Sequence, residues 1–145
     1  MPTLWLIRHA KAGQRGEHGH NDLERPLSRK GKAQADIIAD LLAAEPIDQV
    51  CSSEAIRCID TVKPLAQRLG LEVEVDALYT EGSFFPLPIK SQNLVISAHG
   101  DNIPSLLGKL GLDPWKCSKG SIWRLDLDAE GKVVASAYTD GPEVE

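Results

Sequence analysis

Two short apolar runs, Leu4-Trp5-Leu6-Ile7 and Leu94-Val95-Ile96, each lead to a histidine. Continuous apolar runs of this length suit strands buried on both faces, as in a parallel sheet covered by helices. The first passes directly into Arg8-His9, the second through Ser97-Ala98 into His99-Gly100. In open α/β sheets, ligands bind beyond the carboxyl ends of the strands. An Arg-His pair at such an end either closes a strand at the surface or holds an anion and offers it a nucleophilic imidazole.

The segments between these runs alternate in period. Ser28 is placed to N-cap a helix in which Ala33, Ile37, Ile38, Leu41 and Leu42 recur at helical spacing, closed by Pro46. Ile47 to Cys51 reads as a second strand, with Ser52-Ser53 as turn and cap before a helix from about Glu54 to Leu69. Leu71 to Val75 alternates and predicts a strand with one exposed face. Asp76 to Gln92 is irregular, with room for one helical turn. After the strand at Leu94, Asp101-Asn102 caps a helix through Leu110. Residues 121–127 and 133–138 flank Asp128-Ala129-Glu130-Gly131, a hairpin signature.

This order predicts an α/β fold: a three-layer α/β/α sandwich with a mostly parallel central sheet and a C-terminal hairpin. At 145 residues the chain suits one domain over 1–145. A net charge of −5 offers no general field for nucleic acid or acidic membranes, so a bound anion must be held by a local cationic cluster. Three cysteines without CxxC pairing argue against a disulfide framework or zinc site, and with no signal peptide or membrane-length apolar run a cytoplasmic protein is expected.

In a parallel sheet the ends of the first, second and fourth strands share one edge. That edge would collect Arg8, His9, Arg57 and His99. Arg57 falls in a helix first turn, where unpaired N–H groups and the dipole already favour an anion, and its fork suits phosphate. Phosphoryl transfer needs positioned cations above all. One histidine, neutral at the attacking nitrogen, could attack phosphorus; the other, charged, could bridge the remaining oxygens. A carboxylate such as Glu81 on the irregular segment could protonate the leaving oxygen. No metal or other cofactor is required, since side chains supply the positive charge. Glu17-His18-Gly19-His20 could chelate a metal or simply be solvated.

Taken together, Leu6-Ile7-Arg8-His9-Ala10, Ser52-Ser53 with Arg57 and Thr61, and Val95 to Gly100 resemble the motifs of the histidine phosphatase (phosphoglycerate mutase-like) superfamily. The short length and Glu24-Arg25-Pro26-Leu27-Ser28…Gly31 are similar to its SixA-like phosphohistidine phosphatases and to phosphatase domains fused to Nudix hydrolases. The resemblance implies His9 as nucleophile, a phosphate pocket of Arg8, Arg57 and His99, and Arg25 as a further substrate contact. It implies Glu81 as the acid and Lys119, in Lys119-Gly120-Ser121, as a substrate contact. Ala10 departs from the usual glycine. The expected substrate is phosphohistidine on a phosphorylated protein, with a nucleotide or other small phosphate ester as the alternative.

Three rivals remain open on sequence alone. Cys51 to Arg57 matches C-x₅-R, the loop of cysteine-dependent phosphatases, although Glu54 in that cradle would oppose phosphate and thiolate alike. A mutase would pass the phosphate to a second hydroxyl beneath a longer lid than residues 76–92 provide. A non-catalytic module would bind phosphate through the same cations.

Overall fold

The structure, a computed structural model, describes residues 2–13, 22–88 and 91–144. Its sheet has six strands: β1 (Thr3–Arg8), β2 (Gln49–Ser52), β3 (Val73–Val75), β4 (Leu94–Ala98), β5 (Ile122–Leu127) and β6 (Val133–Thr139), in the order β3-β2-β4-β1-β5-β6. The first four run parallel, and β5 and β6 form the antiparallel hairpin. The expected architecture is therefore observed. Among the described residues, three α-helices connect the strands: α1 (Arg29–Leu42), α2 (Ile56–Leu69) and α3 (Asn102–Lys109).

The pleat divides β1 between two cores. Trp5 and Ile7 pack with Ile38, Leu42, Val62 and Leu65 under α1 and α2. Leu4 and Leu6 pack with Ile103, Leu106 and Leu107 of α3, with Phe85 and with Trp123. A side chain of that size, fully buried, stabilises by roughly 1.5–3 kcal/mol. Among the described residues, no helix is long and apolar enough to cross a membrane.

Several local expectations shift. Ser28 does cap α1, accepting from the Gly31 N–H at 3.1 Å. Gly31 itself is set by a close approach, since a Cβ there would lie 1.9 Å from the Lys11 carbonyl oxygen. Leu41, by contrast, is half exposed, because the buried face of α1 runs through Gln34, Ala35, Ile38, Ala39 and Leu42. β3 is only three residues long, as just Val73–Val75 find partners on the β2 edge. α2 starts at Ile56 rather than Glu54 and has no side-chain N-cap bond, because its N-cap is Ala55; Ser53 Oγ accepts from the Ala55 N–H at 3.3 Å and lies 2.8 Å from His99 Nε2.

Candidate active site

Register brings the two histidines together. β1 pairs in parallel with β4 so that Arg8 lies opposite Ala98, and the His9 N–H donates to the Ala98 carbonyl at 3.0 Å. One residue further on, His9 and His99 meet, with ring centroids 5.6 Å apart and planes at 67°. Residues ninety positions apart thus face each other because two buried strands stop at the same level.

His9 Nδ1 lies 2.8 Å from the Ala10 carbonyl oxygen. A carbonyl can only accept, so Nδ1 carries the hydrogen and Nε2 keeps its lone pair. Burial, aided by the nearby charge of Arg57, lowers the His9 pKa to about 3. The imidazole is neutral at physiological pH, as a nucleophile must be. The Ala10 N–H donates to Thr61 Oγ1 at 2.8 Å, and that hydroxyl donates to the Arg57 carbonyl at 2.7 Å, tying the His9 backbone to α2.

His99 is 1% exposed, with Nε2 2.8 Å from Ser53 Oγ and Nδ1 3.9 Å from Glu81 Oε2. Burial, then Arg57, lowers its pKa to about 4, while Glu81, Asp101 and Asp22 act in the opposite sense. The protein's own groups therefore favour neutral His99 near pH 7, whereas the charged state expected from sequence belongs to the phosphate-bound site. A phosphate dianion beside it would favour the protonated form.

Both histidines have folded pKa values below the usual 6.5, so the unfolded chain takes up protons first as pH falls. Between pH 7 and pH 5 this should remove roughly 2 kcal/mol of folding stability per histidine. Urea unfolding at the two pH values checks it. In His9→Gln the acid-induced loss should shrink by about half; an unchanged loss would assign it to other groups.

Arg57 is 1% exposed; its Nη1 donates to the Asp22 carbonyl at 2.8 Å. Its Nη2 lies 3.1 Å from Asp22 Oδ2 and 3.7 Å from Glu81 Oε2. Arg8 Nη1 donates to the Cys117 carbonyl at 2.7 Å. Among the described residues, the buried Nε–H groups of Arg8 and Arg57 have no hydrogen-bond partner. Unpaired buried donors are costly and uncommon. Arg25 is held by Asp22 Oδ1 at 3.0 Å and donates to the Gly13 carbonyl at 2.8 Å.

A cavity of about 550 Å³ opens above these groups, and its walls include Arg8, His9, Lys11, Arg25, Glu81 and Lys119. Arg57 and His99 are buried beside it. The sequence-predicted residues are thus gathered in one place, with Lys119 exposed at the cavity wall. Cys51 is not: it packs among Leu6, Tyr79 and Ile96 on the α3 face of the sheet, whereas Arg57 belongs to α2 on the other face. The C-x₅-R spacing builds no phosphate loop. The candidate chelate Glu17-His18-Gly19-His20 lies outside the described residues, and among those described no cluster suits a metal ion.

Sequence reading missed Asp22, which joins Arg25 to Arg57, and Gly100. A Cβ on Gly100 would come 2.6 Å from Arg8 Cζ and 2.7 Å from its Nη2. Gly100→Ala should therefore displace the guanidinium with little effect on Tm, because the obstructed group is the tip of a long side chain. Losing one charged hydrogen-bond donor to phosphate corresponds to a fall in kcat/KM of about tenfold or more. Retained activity would show that Arg8 is not placed by this contact.

Residues 4–87 match the histidine phosphatase superfamily (branch 1). The chain belongs to the histidine phosphatase superfamily. It is 29% identical to an 8-oxo-(d)GTP phosphatase of Mycolicibacterium smegmatis, over 97% of this chain and 49% of that protein. The chain thus spans about half the length of that curated relative. Its fold is similar to that of a protein assigned as phosphohistidine phosphatase SixA from Agrobacterium tumefaciens, with a TM-score of 0.68, 21% identity, and coverage of 94% and 98% of the two chains. A protein histidine phosphatase SixA complexed with tungstate gives a TM-score of 0.72 at 19% identity, covering 94% of each chain.

Proposed function

We propose that the protein hydrolyses phosphate esters or anhydrides through a phosphohistidine formed at His9. The observation that carries this reading is the His9 Nδ1 contact with the Ala10 carbonyl, which leaves the Nε2 lone pair beside Arg8, Arg57 and His99. In the first step Nε2 forms a bond to phosphorus as the bond to the leaving oxygen breaks, and Glu81 gives that oxygen its proton. In the second, water attacks phosphorus, Glu81 takes back a proton, and the N–P electron pair returns to His9. The guanidinium groups and His99 carry the spreading charge. The unpartnered Nε–H groups of Arg8 and Arg57 are two donors suited to an anion's oxygens. No step uses a metal, and turnover without added metal, unaffected by chelator, is expected.

Two observations favour a small ester or anhydride, such as a nucleotide, as substrate. Glu81 faces the cavity, and an acid matters most when the leaving group is a poor one. Lys11, Arg25 and Lys119 extend positive charge along the walls beyond the reaction centre, where a second phosphate would lie. The similarity to an 8-oxo-(d)GTP phosphatase agrees with this. A phosphohistidine on a protein is the second reading: Tyr79 and Phe85 anchor residues 76–88 in the core, so this short segment builds no long lid over a bulky substrate.

Glu81→Gln separates the two. On nucleoside di- and triphosphates its kcat should fall about 100-fold, whereas a phosphohistidine peptide, with a better leaving group, should lose little. Wild-type protein that turns over only the peptide, with Glu81→Gln as active as wild type, would favour the second reading.

A further inference from the structure

Residues 99–102 are joined to the segment that carries Glu81 by more bonds than a helix start requires. Asp101 is the N-cap of α3, and its Oδ1 accepts from the Asn102 N–H at 2.7 Å. That single bond satisfies the capping need. The other carboxylate oxygen, Oδ2, accepts from the Gly82 N–H at 2.8 Å. Asn102 is fully buried, and its Nδ2 donates to the carbonyls of Tyr79 at 2.9 Å and Thr80 at 3.2 Å. Its Oδ1 accepts from the His99 N–H at 3.0 Å. Facing an N–H on one side and two carbonyls on the other, the amide has one orientation.

We propose that Asn102 and Asp101 are positioning residues that hold Glu81 and His99 in register across the cavity; this rests on the reading of Glu81 as the proton donor. The bonds grip the chain on both sides of Glu81, at residues 79 and 80 before it and at 82 after it. Glu81 itself is 40% exposed on a loop, so its backbone must be fixed for its carboxyl to meet a leaving oxygen within hydrogen-bond reach. The same Asn102 amide fixes the backbone of His99. A buried amide is costly unless bonded, and an apolar side chain could begin the helix equally well. Four of the five bonds serve the Glu81 segment or His99.

The test is the dependence of rate on the leaving group, measured with p-nitrophenyl phosphate, which scarcely needs an acid, and phenyl phosphate, which does. Glu81→Gln should raise the ratio of kcat/KM values, nitrophenyl over phenyl, by about tenfold or more. Asn102→Ala should raise that ratio several-fold, and Glu81→Gln/Asn102→Ala should show no higher ratio than Glu81→Gln alone. Asp101→Asn, which loses an acceptor at one atom and keeps the helix, should raise the ratio in the same direction and stands in if Asn102→Ala does not fold. If Asn102→Ala and Asp101→Asn slow both substrates by equal factors while Glu81→Gln changes the ratio, the pair is merely structural and the proposal is overturned. If Glu81→Gln leaves the ratio at its wild-type value, the reading of Glu81 as acid fails instead, and the proposal goes with it.

Discussion

Replacing His9 by alanine is expected to lower turnover of any phosphate substrate by roughly 10⁴-fold or more, because the proposed reaction loses the atom that attacks phosphorus. The substitution removes a side chain that is 6% exposed and held by one local bond to Ala10, so the fold should survive. Circular dichroism and a thermal melt check that, alongside the rate. Cys51→Ser is the informative control. Its thiol belongs to the apolar cluster under α3, and the substitution should leave the rate within a few-fold of wild type. Loss of activity in Cys51→Ser with His9→Ala still active would revive the cysteine mechanism.

The second large effect is expected at Arg57. Its guanidinium, 1% exposed, is held by both the backbone and the side chain of Asp22 and lies 3.7 Å from Glu81. In the proposed mechanism Arg57→Ala removes the fork that stabilises the transferring phosphoryl group, and it should reduce kcat/KM by roughly 10³-fold. It also leaves Asp22 without one of its cations, and a stability loss of about 2–3 kcal/mol is expected from the broken charged bonds. Arg57→Lys keeps the charge but not the paired donors, and should recover stability better than activity. Equal recovery of both would mean that net charge, not fork geometry, is what Arg57 supplies.

The parts of the site legible in the sequence are those set by short-range pattern. Apolar runs ending at Arg8-His9 and near His99 reveal strands and their exits, because a strand buried on both faces has no polar alternation to confuse the reading. Parallel order then places those exits on one edge. What could not be read depends on contacts between distant segments. Asp22 looks like an ordinary acidic residue until the fold brings it to Arg57, thirty-five positions away. Asn102 looks like part of a helix cap until Tyr79 and Thr80 arrive beside it. Ser53 reads as a cap for α2, but the helix begins after Ala55, and the Ser53 hydroxyl is left beside His99 Nε2 at 2.8 Å, a contact that only the fold creates. The lowered pKa of His99 is hidden for a related reason: burial and Arg57 outweigh three nearby carboxylates, a balance that no local pattern displays.

The central claim is that the imidazole of residue 9 becomes covalently phosphorylated during turnover. Rapid acid-free quenching with a radiolabelled phosphate donor, followed by peptide mapping, measures this directly. The account predicts a label on His9 that is stable in base, lost in acid and absent from His9→Ala. A turning-over enzyme with no trapped label, or with an acid-stable label on the peptide containing Cys51, would contradict it.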